Sequence, residues 1–132
     1  MQGSIHEKGT PVVVGVDDDF RLRESLQRLL ESAGYTAFLY SSAEELLESE
    51  EVAAAHCLIT DVRMTGMDGL ELQRRVNLLR PKLPIIFLSA HYDEDIRQRA
   101  LHGGACAFLY KPFDAVELLS LVKRALDEFT DT

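Results

Sequence analysis

Four short apolar segments of this chain each end at polar side chains of a type that can handle phosphate. The segments and the residues that follow them are 11–16 with Asp17, Asp18 and Asp19, 56–60 with Asp61, 83–88 with Ser89, and 105–110 with Lys111. A carboxylate can act as a nucleophile, and an ammonium group and a hydroxyl can stabilise the oxygens of a phosphoryl group. These residue types indicate phosphoryl transfer onto a carboxylate, provided that the fold brings them together.

Several carboxylates at one place repel one another and need a compensating charge. Without it their pKa values would rise and the fold would lose stability. Mg²⁺ prefers oxygen ligands and usually binds through one or two carboxylates, with water and phosphate oxygens completing its shell. The cysteines and histidines of the chain lack the spacing of zinc ligands. We therefore expect Mg²⁺ as the cofactor.

The elements that must position these residues are strands that alternate with amphipathic helices. A further apolar segment at residues 35–40 brings the predicted strands to five, and five stretches with helical spacing separate or follow them. This alternation indicates an α/β fold with a parallel sheet covered on both faces. Because ligands bind at the carboxyl ends of such strands, the polar residues should meet at one edge of the sheet.

Capping residues and apolar spacing predict where the helices begin and which faces they bury. The predicted capping residues are Asp19, Asp68, Ser42 paired with Glu45, and Asp114 paired with Glu117. The predicted inner faces are Leu72, Val76 and Leu79 in the third helix and Val116, Leu119, Val122, Leu126 and Phe129 in the fifth. The fourth helix, over residues 93–101, has a thin apolar stripe and should be loosely held. Gly15, inside the first strand, indicates a close backbone approach.

Composition and charge restrict the classes of function. The formal net charge of −8 over 132 residues disfavours direct nucleic-acid binding by this chain. No apolar run approaches the roughly 20 residues of a membrane span, and the first ten residues are too polar for a secretory signal. We expect a cytoplasmic protein with a flexible leader at 1–10 and one domain at 11–130. Cys57 and Cys106 are expected to be reduced core residues.

Four stretches of the sequence, in this order and spacing, resemble the CheY-like receiver domains of two-component response regulators. They read VDDDFRLRESLQRLLESAGY, LITDVRMTGMDGLEL, PIIFLSA and GGACAFLYKPF. The resemblance covers nearly all of residues 11–129 and implies a flavodoxin-like (βα)5 fold, a doubly wound five-stranded parallel sheet of order 2-1-3-4-5. It also implies a function in phosphorelay signal transduction. The domain would catalyse only its own phosphorylation and dephosphorylation and would not otherwise be an enzyme.

The resemblance implies roles for the residues at the strand ends. Asp61 matches the phosphoacceptor, which takes a phosphoryl group from a sensor histidine kinase or a phosphotransfer protein. Asp18 and Asp61 would ligate Mg²⁺ directly, Asp17 mainly through water, and Arg63 through its backbone carbonyl. Lys111 matches the lysine that contacts the phosphoryl oxygens.

A second group of matched residues concerns switching. Ser89 matches the switch hydroxyl and Phe108 the switch aromatic, which would remodel the face formed by the fourth helix, fifth strand and fifth helix. That face is also a candidate for a phosphorylation-dependent homodimer. Arg63 and His91 are expected to set the lifetime of the acyl phosphate. The peptide bond before Pro112 is expected to be cis.

The sequence departs from the family at Thr65, where proline is usual, and this should loosen the loop after Asp61 without affecting the chemistry. Two other functions share some of these residues. A haloacid-dehalogenase-like phosphatase would need a second aspartate where Arg63 stands. A receiver-like interaction module would keep the fold without being phosphorylated. The stretches RESLQRLLESAGY and SSAEELL look like receivers that precede LuxR-type DNA-binding domains, so either a stand-alone regulator or part of a transcription factor is compatible with the sequence.

Overall fold

The five predicted strands form one parallel sheet in a computed structural model, which describes residues 10–130 apart from the Thr130 side chain. The strands are β1 Val12–Val16, β2 Thr36–Tyr40, β3 Cys57–Asp61, β4 Ile85–Ser89 and β5 Ala107–Tyr110. Their order is β2-β1-β3-β4-β5, and all four neighbouring pairs are parallel. The predicted fold class and strand order are therefore confirmed. Residues 1–9 of the predicted leader lie outside the described residues.

Five helices connect or follow the strands. They are α1 Phe20–Ser32, α2 Ala43–Glu48, α3 Gly69–Leu79, α4 Glu94–His102 and α5 Ala115–Thr130. A separate helical turn, Glu51–Ala54, follows α2. Among the described residues, no helix is both long enough and apolar enough to cross a membrane.

Two apolar clusters pack on opposite faces of the sheet. Alternate strand residues point to opposite faces, so Val13 and Ile59 join one cluster while Val14 and Leu58 join the other. Helices α1 and α5 cover the first face, and helices α2, α3 and α4 cover the second. Both faces are therefore buried, as the continuous apolar strands predicted.

Side chains cap the helices at most of the predicted positions. The carboxylates of Asp19 and Asp68 and the hydroxyl of Ser42 accept hydrogen bonds from backbone N–H groups in the first turns of α1, α3 and α2. The Glu45 carboxylate accepts from the hydroxyl and N–H of Ser41, and the Ser42 N–H also helps to lower its pKa, so the predicted pairing of Ser42 with Glu45 is confirmed. Asp114 accepts from the N–H of Val116 instead of that of Glu117.

Two predicted core positions are wrong. Leu79, the last residue of α3, is 61% exposed, because Leu83 in the following loop is buried in the same cluster as Val76. Val116, in the first turn of α5, is 77% exposed. Phe113 packs beside that turn before the helix begins, so the buried stripe starts at the next inward position. The buried residues of α5 are Leu118, Val122, Ala125 and Leu126.

Of the predictions for Gly15 and the two cysteines, two are confirmed and one is wrong. A Cβ atom on Gly15 would lie 2.9 Å from Leu39 Cδ1 and 3.3 Å from the carbonyl oxygen of Ile59. The close approach expected at this glycine is therefore confirmed. Cys57 is buried as predicted, whereas Cys106 is exposed because it lies just before β5 begins.

Candidate functional site

The carboxyl ends of β1, β3 and β5 bring Asp17, Asp61 and Lys111 into direct contact. Lys111 Nζ donates to Asp17 Oδ2 at 2.7 Å and to Asp61 Oδ2 at 3.0 Å. Asp17 is 1% exposed and Asp61 8% exposed, so both carboxylates are buried at the edge of the sheet. The Lys111–Pro112 peptide bond is cis, as predicted. Three residues that lie far apart in the sequence thus form one charged cluster.

Asp18 completes a set of three carboxylates. Oxygen atoms of Asp17, Asp18 and Asp61 all lie within 4.8 Å of one another. Asp18 is exposed, and no described residue donates a hydrogen bond to its carboxylate. Two ligands on opposite sides of Mg²⁺ lie about 4 Å apart, since each Mg–O distance is about 2.0–2.1 Å. The donor set therefore fits one hard divalent cation, and the 4.8 Å limit leaves room for one carboxylate to bind it through water.

Charge in this cluster does not balance without a cation. Burial raises the pKa of Asp17, although hydrogen bonds from Lys111 and from the Asp19 N–H favour its ionised form. Burial also disfavours the charged form of Lys111, but hydrogen bonds to Asp17 and Asp61 outweigh it and raise the pKa of the ammonium group. Three carboxylates and one ammonium leave a formal charge of −3 + 1 = −2. A divalent cation neutralises this excess.

Backbone groups hold the acidic residues in place. Asp61 Oδ1 accepts the N–H of Val62 at 2.7 Å, and Asp17 Oδ1 accepts the N–H of Asp19 at 2.9 Å. Arg23 Nη1 donates to the backbone carbonyl of Asp17 at 2.7 Å. Each buried carboxylate therefore has one oxygen fixed by the backbone and the other bound by Lys111.

The loop after β3, which contains Thr65 in place of the family's usual proline, is held by close contacts of the residues around it. A Cβ atom on Gly69, the first residue of α3, would lie 2.1 Å from the carbonyl oxygen of Asp61, so only glycine allows this approach. The Glu44 carboxylate accepts the N–H of Met67 at 3.0 Å. Gly66 has a φ of +83°, which favours glycine. Thr65 is exposed between these contacts.

Ser89 and Phe108, predicted as switch residues, lie on neighbouring strands beside the cluster. The buried hydroxyl of Ser89 bonds to the backbone N–H and carbonyl of His91, at 3.1 Å each. The partly buried ring of Phe108 stacks on Phe87 with centroids 5.8 Å apart. It also meets the ring of Tyr110 edge to face at 5.4 Å. In the sheet register Ser89 pairs with Tyr110, and Tyr110 contacts Phe108. Tyr110 therefore lies between the two predicted switch residues.

The side chain of Arg63 turns toward α4. Its Nη2 atom lies 4.0 Å from Asp93 Oδ2, and Asp93 is the N-cap of α4. Both Arg63 and His91 are exposed. Next to this pair, the ring of Tyr92 stacks on Tyr110 with centroids 4.7 Å apart. The start of α4 is thus tied to the loop after Asp61 and to β5.

Sequence reasoning found the residues at the strand ends but missed their supports. The contact of Arg23 with the backbone carbonyl of Asp17 and that of Arg63 with the Asp93 carboxylate each join different parts of the fold. Arg23 stands one helical turn after the capping Asp19, which was the only signal available. Neither pairing follows from the spacing of charges along the chain.

Comparison with known proteins points to one family. The family model described as "Response regulator receiver domain" matches residues 13–123. DNA-binding transcriptional regulator NtrC of Escherichia coli strain K12 is 38% identical over 120 residues, which cover 91% of this chain and 26% of the relative. Nodulation protein W of Bradyrhizobium diazoefficiens is 39% identical over 127 residues, covering 96% of this chain and 56% of the relative.

A solved structure agrees with these matches. The CheY-like response regulator receiver domain protein from Methanospirillum hungatei aligns with a TM-score of 0.85 at 27% identity, covering 92% of this chain and 98% of that one. The chain spans about a quarter of the length of NtrC and about half the length of nodulation protein W, so both curated relatives are longer.

Proposed function

The chain belongs to the response regulator receiver domain family, and from this premise we propose that Asp61 accepts a phosphoryl group in a Mg²⁺-dependent reaction. Receiver domains of this family act in phosphorelay signalling, with histidine kinases or phosphotransfer proteins as partners. The observation that supports the proposal best is the contact of one lysine with two buried carboxylates beside an exposed third.

The proposed reaction moves phosphorus from a phosphohistidine to Asp61. A carboxylate oxygen of Asp61 forms a P–O bond while the P–N bond breaks, and the leaving imidazole keeps the electron pair and takes up a proton. Lys111 then exchanges its contact with the Asp61 carboxylate for one with a phosphoryl oxygen. Because charge spreads over the phosphoryl oxygens in the transition state, the main contribution of these residues is position and charge.

The residues that would hold Mg²⁺ are the acids at the ends of β1 and β3. Asp18 and Asp61 would be direct ligands, Asp17 would act through water, and Arg63 would contribute its backbone carbonyl. The ion would offset the negative charge of acceptor and phosphoryl group as they approach. The fixed orientation of Asp17 and Asp61 means that little rearrangement is needed on binding.

We further propose that phosphorylation changes the conformation of the face formed by α4, β5 and α5. The hydroxyl of Ser89 would leave His91 for the phosphoryl group, and the ring of Phe108 would move inward. This change would control an output partner or domain, with transcription as the regulated process, and would favour a homodimer through this face. The reaction would take place in the cytoplasm, where kinases present phosphohistidine.

Side chains near the entrance would set how long the acyl phosphate lasts. Arg63 and His91 are both exposed and flank the path of attacking water in this proposal. The contact of Arg63 with Asp93 indicates that the arginine does not cover Asp61 in this conformation. Autodephosphorylation would be the second self-catalysed step of the domain.

Incubation with acetyl phosphate and Mg²⁺ tests the proposal. Intact-mass spectrometry should show the gain of one phosphoryl group, which disappears with Asp61→Asn or with EDTA. Glu24→Gln, an exposed change on α1, serves as the control and should be phosphorylated like the wild type. If the wild type gains no phosphoryl group, the chain is an unphosphorylated interaction module. If Asp61→Asn gains as much as the wild type, Asp61 is not the acceptor.

A further inference from the structure

Arg23 contacts the peptide group that joins two proposed metal-site residues. Its Nη1 atom donates to the backbone carbonyl of Asp17 at 2.7 Å, and this hydrogen bond is partly buried. That carbonyl belongs to the peptide between Asp17 and Asp18. The orientation of this peptide determines the direction in which the next side chain, Asp18, leaves the backbone.

The two aspartates on either side of this peptide are held very differently. The N–H of Asp17 donates to the carbonyl of Tyr40 at 3.1 Å, and its carboxylate is bound by the Asp19 N–H and by Lys111. The carboxylate of Asp18, by contrast, accepts no hydrogen bond within the described part of the chain. The position of Asp18 therefore depends on the backbone that Arg23 holds.

The backbone of Arg23 is fixed in the first turn of α1, and its guanidinium lies over the ring of Phe20. The N–H of Arg23 donates to the carbonyl of Asp19 at 3.0 Å, in the first turn of the helix. The guanidinium carbon lies 5.7 Å from the centroid of the Phe20 ring. Phe20 is 62% exposed, so its ring is available to support the planar cation. A lysine could donate to the same carbonyl but could not stack in this way.

We propose that Arg23 is a positioning residue, which orients Asp18 for Mg²⁺ through the Asp17–Asp18 peptide; this inference rests on the proposed function. Coulomb repulsion alone predicts the opposite effect, because a cation near the site opposes the binding of a second cation. Arg23 thus favours Mg²⁺ through geometry although its charge disfavours it. Residues that orient metal ligands commonly change metal affinity about 10- to 100-fold when they are removed.

Titration of the full chain with MgCl₂ by isothermal calorimetry separates geometry from charge. Arg23→Met removes the donor and the charge, and should weaken Mg²⁺ binding about tenfold. Arg23→Lys keeps the charge and one donor, and should recover part of the affinity. Arg21→Met removes the same charge from an exposed position in the same helical turn, and should bind Mg²⁺ as well as the wild type or better. Circular dichroism establishes that each variant is folded at the temperature of the titration.

The outcomes are distinct. Weaker binding by Arg23→Met, partial recovery with Arg23→Lys and none of this loss with Arg21→Met support the inference. Unchanged or tighter binding by Arg23→Met overturns it, as does Arg23→Lys binding no better than Arg23→Met. If Arg23→Met does not fold, the comparison of Arg23→Lys with the wild type decides. Equal Mg²⁺ affinity of these two proteins then overturns the inference that the planar guanidinium is needed to orient Asp18. If the wild type does not bind Mg²⁺, the proposed function fails, and not merely the role of Arg23.

Discussion

At the scale of single residues, the site keeps an arrangement that is unfavourable for folding. Asp17 is almost fully buried and its pKa is raised by burial, so its charge is held at the expense of stability. Lys111 relieves only part of this penalty, because it is shared with Asp61. A functional site that concentrates like charge is expected to exchange stability for ligand binding.

Replacing Asp17 with asparagine should therefore stabilise the metal-free protein. Asparagine can keep the hydrogen bond from the Asp19 N–H while removing a buried charge. We expect unfolding in EDTA to require about 1 kcal/mol more free energy, or a melting temperature a few degrees higher. The stabilisation that Mg²⁺ gives to the wild type should be largely lost. Thermal unfolding with and without Mg²⁺ measures both effects.

Glu24→Gln provides the control for this substitution, because it removes a negative charge from an exposed position on α1. Its melting temperature should follow that of the wild type in EDTA and in Mg²⁺. A metal-free Asp17→Asn variant less stable than the wild type would mean that the ion pair with Lys111 outweighs the cost of burial.

At the scale of elements, α4 is held at both ends by side chains from elsewhere. Among its residues only Ala100 is fully buried, in agreement with the thin apolar stripe. Its C-terminal end is tied to α3, where Gln73 donates to the carbonyl of Ala100 and Asn77 to that of Gly103, at 2.8 Å each. Its N-terminal end packs through the half-buried Ile96 and otherwise has the longer contact of Asp93 with Arg63 and the stack of Tyr92 on Tyr110. We therefore expect the N-terminal end to move more easily.

Gln73→Leu tests whether the C-terminal end of α4 is anchored in this way. The side chain is 4% exposed, so leucine fits the apolar surroundings but leaves the carbonyl of Ala100 without this donor. We expect a loss of about 1–2 kcal/mol in the free energy of unfolding. Hydrogen exchange should become faster in the last turn of α4. Gln98→Leu, an exposed glutamine on α4, should leave exchange in that turn unchanged, and equal acceleration in both variants would refute the anchor.

The parallel sheet and the residues at its carboxyl edge could be predicted because they depend on local patterns and on one topological rule, whereas the strand order followed from the family resemblance. Apolar strands that end in Asp17, Asp61 and Lys111 can only meet at one edge of a parallel sheet. The side-chain contacts that hold these elements together could not be predicted in the same way. A glutamine such as Gln73 is typical of the exposed surface of a helix, and its burial depends on where α4 packs. Leu79 and Val116 continue an apolar period but lie beyond the core that would bury them.

At the scale of the whole molecule, the acidic cluster and the proposed output face lie on adjoining parts of the surface. Tyr92, 81% exposed in the loop just before α4, stacks on Tyr110 of β5, the residue before Lys111. The hydroxyl of Tyr110 is buried without a hydrogen-bond partner among the described residues. Burying an unpaired polar group costs free energy, so moving this aromatic pair would break no hydrogen bond of the Tyr110 hydroxyl.

We expect the output face to form a homodimer when the site is occupied. Light scattering after size exclusion should show a monomer in EDTA and a dimer with Mg²⁺ and beryllofluoride, an analogue of the phosphoryl group. Tyr92→Ala should weaken the dimer without preventing phosphorylation. Leu78→Ala, an exposed residue of α3 that is 75% accessible, should have no effect. A protein that stays monomeric, or a dimer sensitive only to Leu78→Ala, would exclude this face.

The most direct test of the central claim is to locate the phosphoryl group chemically. Borohydride reduces an aspartyl phosphate to homoserine, which marks the acceptor stably for peptide mass spectrometry. After reaction with acetyl phosphate and Mg²⁺, the account predicts homoserine at position 61 in the wild type and none when EDTA is present. Homoserine at another carboxylate, or at none, would contradict it.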